Sequence, residues 1–310
     1  IHTASEARNA VSEAQLAGIT DIGIDLIYGL PDQSKSDWLA DLKQAVEYDP
    51  NHISCYMLTY EKGTPLHSSR EDGRVQPLAE DKVRTLFETT IDFLEDHKYF
   101  QYEISNFAQI EDDGKSHISR HNLKYWTLAP YIGLGPSAHS FVEPQRCWNV
   151  SSIDSYIEAI ESCRLPVADK EVLTEEQQMI EAIYLGLRTT AGIDLVGFGA
   201  KFGVDFLQTF KEVITDLTER NYIVVKNGRC AIKRRGRAYL DSITSMFVTR
   251  DVSDTETGLR CLFPLKAIVS CFLKHPTAYI TENILKGTQM SIHITPGIDT
   301  FTNINPYEAF

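Results

Sequence analysis

The sequence predicts an α/β chain that begins with parallel βα units, and three observations carry that reading. Residues 21–33, DIGIDLIYGLPDQ, alternate apolar and polar side chains and then break at Gly29-Leu30-Pro31; alternation of period two closed by glycine and proline marks a strand leaving into a turn. Helical patterns precede and follow this stretch, and a second strand-like run occupies 52–58. Helix, strand, helix, strand with short links is the order of parallel βα units. Beyond about Pro166 the pattern changes to several helices and one hairpin.

In chain order, 4–17 reads as a helix with Ala7, Ala10, Val11, Ala14 and Ala17 on one face and Gly18 as its stop. In the strand that follows, Ile22, Ile24 and Leu26 point one way, with Asp25 as a carboxylate among them. The helix 34–47 is capped by Ser34 with Asp37 three residues on, and Trp38, Leu42, Ala45 and Val46 form its stripe. A strand at 52–58 leads into a turn at 61–65 and a loop at 73–77. The long helix 80–97 turns Val83, Leu86, Phe87, Ile91 and Leu94 inward, and 99–107, YFQYEISNF, reads as one extended aromatic stretch. A polar loop covers 110–118, and 152–163 is helical. Thr174 with Gln177 opens a helix to 190, a turn follows at 192–197, and two short helical patterns cover 201–210 and 211–220. Lys226-Asn227-Gly228 joins strands at 222–225 and 230–232, and 236–247 is helical. Helices followed by a hairpin with a basic tip have the layout of a winged helix. Residues 249–310 show no sustained period.

Composition excludes several classes. Hydrophobic residues make up 43% and charged residues 24% of the 310 residues, an ordinary globular balance. The net charge of -13 argues against a general nucleic-acid coat or an anionic membrane surface as main partner. No apolar run is long enough to span a bilayer, and the N-terminus lacks the basic and apolar regions of a signal peptide. The six cysteines are scattered, with no CxxC or CxxxCxxC spacing, which fits a reducing cytoplasm and shows no local metal site.

Five constellations are candidates for chemistry. Asp25 is either a carboxylate facing a site at the strand's C-terminal edge or a strand-end acid bonded to a neighbouring loop. Glu103, Ser105 and Asn106 either line a polar pocket or, as the residues alone favour, turn the polar face of a half-buried strand to water. In 120–126, RHNLKYW, histidine, asparagine, tyrosine and tryptophan offer an axial-type nitrogen and flat aromatic surface suited to a planar macrocycle, although composition alone favours Tyr125 and Trp126 as core and His121 as a satisfied histidine. Residues 133–140, GLGPSAHS, allow close backbone approach to a ligand or form a tight turn; they are not a dinucleotide fingerprint, since Pro136 removes a needed N–H. Lys226, Arg229, Lys233, Arg234, Arg235 and Arg237 either touch phosphates or form a solvated tip, which the acidic whole favours.

Five segments in order, IDLIYGLPDQS, HISCYMLTYEKGTPL, YEISNFA, SRHNLKYW and YIGLGPSAHS, resemble the oxygen-independent coproporphyrinogen III oxidase-like radical SAM family, and HNLKYW is similar to its HemW haem-chaperone branch. The resemblance covers about 1–248. It implies a partial (βα)6 TIM-type barrel with accessory strands over 1–165, a winged-helix-like C-terminal domain over 166–248, and a tail of unknown nature over 249–310. It implies S-adenosylmethionine near Asp25, Thr59 and His139, and haem near His121, Asn122, Tyr125 and Trp126. It also implies a 4Fe–4S cluster, but the family's CxxxCxxC motif is absent here. On that account the chain is expected to be N-terminally truncated, to lack reductive SAM cleavage, and to expose an edge strand that leaves it unstable alone. The implied function is haem delivery to acceptor proteins in the cytoplasm, with neither catalytic residues nor nucleic acid invoked. The rivals are coproporphyrinogen III oxidation, in which radical abstraction from propionates and loss of carbon dioxide give vinyl groups, and a winged-helix nucleic-acid binder.

Overall fold

A computed structural model describes residues 3–111, 114, 116–248 and 290–293. These form two compact units, one comprising residues up to 119 with the strand at 290–293, the other residues 120–248.

The first unit opens with helix α1 (Ala4–Leu16). Thr3 accepts from the Glu6 N–H while the Glu6 carboxylate takes the Thr3 N–H, a reciprocal cap that the apolar period does not reveal. Strand β1 (Gly23–Tyr28) follows, then α2 (Lys35–Val46), with the Ser34 and Asp37 cap the sequence predicts. Strand β2 (His52–Met57) lies parallel to β1, Gly23 opposite His52 and Tyr28 opposite Met57. The turn read at 61–65 is present, with the Thr64 N–H donating to the Glu61 carbonyl at 3.2 Å, and it runs straight into a helix the sequence reading did not include, α3 (Pro65–Glu71), which Thr64 caps and Pro65 opens. Helix α4 (Glu80–Asp96) leads to β3 (Tyr99–Gln101) and β4 (Asn106–Gln109). These two strands pair with each other, and β4 pairs antiparallel with β2.

Residues 99–107 are therefore a hairpin and not one extended run. The Gln101 side-chain amide donates to the Ile104 carbonyl at 2.8 Å and closes the turn. This bend takes Glu103 and Asn106 out of water: they are 0% and 1% exposed, which overturns the reading of a solvated polar face. Asp25 changes place as well. Because β1 runs on to Tyr28, Asp25 sits in the middle of the strand, opposite Ser54, and is itself buried. It is not a strand-end acid.

The core of this unit puts Ile24, Leu26 and Tyr28 of β1 against Trp38, Leu42 and Ala45 of α2 and Leu86, Ile91 and Leu94 of α4. Trp38 is fully buried, and its indole N–H donates to Thr90 Oγ1 at 2.8 Å while the Thr90 hydroxyl donates to the Leu86 carbonyl.

The second unit begins with α5 (Arg120–Trp126), followed by β5 (His139–Val142), β6 (Gln145–Asn149), α6 (Ile153–Glu161) and β7 (Val167–Val172). The three strands form an antiparallel sheet in the order β5-β6-β7. Helix α7 (Glu175–Arg188) is capped by Thr174 and Gln177 as expected. One Arg146 nitrogen donates to both carboxylate oxygens of Glu181 at 3.1 and 3.0 Å, a buried pair tying β6 to α7. Then come β8 (Ile193–Asp194), α8 (Leu195–Phe202), α9 (Phe206–Thr209), α10 (Lys211–Glu219), β9 (Ile223–Lys226) and β10 (Arg229–Ile232). Helices α11 (Arg234–Arg237) and α12 (Leu240–Val248) close this unit's described residues. Asn227 and Gly228, at φ 54 and 71, make the tight turn the sequence predicts between β9 and β10. The sheet order is β8-β10-β9, and a Cβ on Gly192 would stand 2.4 Å from the Cys230 carbonyl oxygen, so the close approach of β8 to β10 requires glycine there.

One further strand, β11 (Met290–His293), pairs antiparallel with β1 from Gly23 to Leu26. The edge expected to be exposed thus carries a strand along this length. The rest of the stretch read as a tail lies outside the described residues. The fold as a whole is mixed α/β, with one parallel strand pair among the described residues.

Thr90→Val keeps the shape of the first core and orphans the Trp38 indole N–H. Urea unfolding should show a loss of about 1–3 kcal/mol; an unchanged midpoint and slope would remove this bond from the list of stabilising contacts.

Candidate functional site

In the first unit, polar groups gather around Asp25. Burial on both faces of a strand obliges a carboxylate to find polar neighbours, and β2 and the β3–β4 hairpin supply them. His52 of β2 meets the Tyr102 hydroxyl through Nε2 at 2.8 Å, and that hydroxyl accepts from the Ser119 N–H at 3.3 Å. Burial pulls the His52 pKa down to about 4, outweighing the upward pull of Asp25 and Asp21. Burial raises the Cys55 thiol and the Tyr102 hydroxyl well above their ordinary ranges, with the Asp25 charge adding to both. All three side chains are therefore neutral at pH 7. Glu103 accepts from the Ser105 N–H at 2.8 Å, folded back onto its own turn.

Thr59 lies just beyond β2, half-buried, one residue past Leu58, whose N–H donates to the Tyr28 carbonyl at 2.8 Å. The parallel pair thus places Thr59 near the C-terminal ends of both strands. Gln33 also belongs there and was not singled out in the sequence, although it ends the stretch 21–33. Its Oε1 accepts from the Gly29 and Leu30 N–H groups at 2.8 and 3.3 Å, and its buried Nε2 meets no partner among the described residues.

In the second unit, α5 carries the other candidates. It has no buried residue. The Tyr125 hydroxyl and His121 Nε2 are 3.0 Å apart, as the i, i+4 spacing allows. Partial burial, with Lys124 nearby, lowers the His121 pKa, so the imidazole is neutral at pH 7. Tyr125 meets Tyr131 edge-on at 4.8 Å, and Tyr131 bridges Phe141 of β5 through paired backbone hydrogen bonds. Asn122 and Trp126 lie one position round the helix from His121 and Tyr125.

His139 begins β5 and stacks on Trp148 of β6 with ring centroids 5.6 Å apart. The neighbouring glycines serve the chain itself: a Cβ on Gly133 would stand 2.1 Å from the His139 carbonyl oxygen. Asn149 donates to the Gly133 and Gly135 carbonyls, and Gly135 donates to the Tyr156 hydroxyl. This segment is a stitched turn. The basic cluster is partly engaged within its own module: Arg229 donates to the Gly192 carbonyl, Lys233 to Asn221, and Arg235 lies over Tyr222.

Of the cysteines, Cys55, Cys147 and Cys230 are buried on three different strands and Cys163 is exposed. Among the described residues no three histidine, cysteine or acidic side chains group to hold a metal ion. The donor set of the described residues does not fit an iron–sulfur cluster.

Residues 173–239 match the family described as the HemN C-terminal domain. The chain is 29% identical over 248 residues to the heme chaperone HemW of Bacillus subtilis, covering 80% of this chain and 64% of that protein. It is 31% identical over 200 residues to the radical S-adenosyl methionine domain-containing protein 1, mitochondrial, of Danio rerio, covering 62% of this chain and 44% of that one. Coproporphyrinogen III oxidase (HemN) from Escherichia coli, a radical SAM enzyme, superposes with a TM-score of 0.63 at 18% identity over 80% of this chain and 59% of its own, a likeness of fold. The chain therefore spans less than two thirds of the length of each of these relatives.

Because the folded state holds His52 at about 4 against an ordinary 6.5, unfolding takes up a proton between those values. The stability His52 contributes is complete above 6.5 and is lost as the pH falls towards 4. Urea midpoints measured across this range should fall less steeply in His52→Gln than in wild type; parallel curves would show that His52 is not the group taking up the proton.

Proposed function

Because the chain belongs to the oxygen-independent coproporphyrinogen III oxidase-like radical SAM family, close to HemW, we propose that it is a haem-chaperone-like protein that takes up haem on α5 and passes it to acceptor proteins. The observation that carries this is the α5 surface. His121 is a neutral imidazole on a helix with no buried residue, paired with Tyr125 and flanked by aromatic rings. A neutral nitrogen beside flat apolar faces is what an iron macrocycle requires. His121 Nε2, which now meets the Tyr125 hydroxyl at 3.0 Å, would be the atom that holds the iron, with Tyr125 beside it.

The family is one of S-adenosylmethionine and 4Fe–4S proteins. For S-adenosylmethionine the first unit's residues fit: Asp25 offers a buried carboxylate, Thr59 a main-chain position at the strand ends, and Gln33 a side-chain Nε2 that meets no partner among the described residues. We assign these three to that cofactor, which when bound supplies a sulfonium and an adenosyl group. His139 of the second unit remains a separate candidate for it.

The chaperone reading stands ahead of the oxidase reading because relatives at 29% and 32% identity bear the heme chaperone name, whereas the oxidase likeness is one of fold at 18% identity. We assign no nucleic-acid role, given the net charge of -13 and a basic cluster partly engaged within its own module. Among the described residues no helix is long and apolar enough to cross a membrane; the proposed site of action is the cytoplasm.

Haemin titrated into the 310-residue chain should give a shifted Soret band, and His121→Ala should lose that band or move it. A wild-type chain that leaves the haemin spectrum unchanged sinks the haem reading, and equal spectra for both proteins remove His121 as ligand.

A further inference from the structure

A seven-residue helix with no buried side chain does not hold itself in place. Isolated helices of this length are marginal in water, so α5 takes its stability from contacts outside itself. One contact is Tyr125 on Tyr131. Another lies in the helical module. Arg188, the last residue of α7, sets its guanidinium carbon 4.3 Å from the centre of the Trp126 ring. The buried indole N–H of Trp126 meets no hydrogen-bond partner among the described residues, so Trp126 is held by its ring face. Arg188 is itself held: Asp241 of α12 interacts with it electrostatically and accepts a hydrogen bond from Tyr184 of α7. Helices α5 and α12 both pack on α7.

Helical geometry turns this contact into an orientation. His121 and Tyr125 share one face of α5, while Asn122 and Trp126 share a strip about 100° round the helix. Fixing Trp126 therefore fixes the direction of His121. We propose that Arg188 is a positioning residue that, by stacking on Trp126, sets the rotation of α5 and aims His121 and Tyr125 at the ligand, with Trp126 acting as the anchor. This rests on the haem reading for the identity of the ligand, and not for the anchoring itself.

The experiment compares Arg188→Met, Trp126→Phe, Trp126→Ala and the Arg188→Met/Trp126→Ala double variant in the 310-residue chain. Hydrogen exchange of the α5 amides without haemin reads the anchoring. Arg188→Met and Trp126→Ala should lose protection equally, the double variant should lose no more than either, and Trp126→Phe, which keeps a ring face for the guanidinium, should retain most of it. Haemin titration reads the consequence. Arg188→Met and Trp126→Ala should each bind roughly tenfold more weakly with a moved Soret maximum, while Trp126→Phe stays within about threefold of wild type. Full α5 protection in Arg188→Met overturns the proposal, as does additivity in the double variant. So does a Trp126→Phe as impaired as Trp126→Ala, which would make the indole N–H a ligand contact. If the wild-type chain takes up no haemin, the haem reading falls while the exchange data still decide the anchoring. Should Arg188→Met fail to fold, Arg188→Lys, which keeps the charge and loses the planar stack, carries the same comparisons.

Discussion

Asp25 occupies the centre of a strand whose two faces are both covered, opposite Ser54 across the parallel ladder. An ionised carboxylate in that position costs several kcal/mol unless polar groups compensate it. Much of the first unit follows from that constraint. Strand β2 carries His52 and Ser54 rather than an unbroken apolar run, and the β3–β4 hairpin turns Tyr102, Glu103 and Asn106 inward rather than outward. The opposite face of β1 is purely hydrocarbon and aromatic, where α2 and α4 cover it. One strand thus divides the unit into an apolar side and a side lined by polar groups, and of the proposed cofactor residues Asp25 lies on the second side.

The second unit solves a different problem. Its first helix is short and superficial, and it borrows order from two sources: the β5 sheet, through Tyr131, and the α7–α12 pair, through Arg188. The buried Arg146 and Glu181 pair joins that same sheet to α7. Breaking such a pair by removing one partner leaves a buried charge, which is a strong reason for the sheet and the helical module to move as one. A ligand on α5 would then rest on a braced frame and not on a flexible loop.

Where the sequence was legible, the signals were local. The caps of α2 and α7 and the Asn227-Gly228 turn each lie within four or so consecutive residues and stand where their chemistry places them. The misreadings were also local in origin. Thr64-Pro65 closes the turn read at 61–65 and also opens α3, a helix start that the turn signal masks. The sequence 99–107 has strand-forming residues throughout, so nothing in its period announces the bend that Gln101 closes. In the candidate site, His121, Tyr125 and Trp126 were visible as a motif, and Asp25 as an acid out of place. Arg188 and His52 were not, because what makes each of them notable is a partner distant in sequence: Trp126 for one, Tyr102 for the other. The signal for Gln33 was present, a polar side chain directly after a Gly-Leu-Pro break, but a turn-closing glutamine looks like any loop residue until its Oε1 is seen between two backbone N–H groups.

The strand Met290–His293 on the outer edge of β1 has a consequence of its own. The N–H and C=O groups along one edge of a strand pair with one neighbour at a time, and the ladder they offer is blind to side chains. While β11 is seated, that edge is closed to every other strand, whether from the same polypeptide or another. Any event that seats a different strand beside Gly23 to Leu26 must first release this one, so occupancy of that border is a competition with a single winner, run within a few ångströms of Asp25.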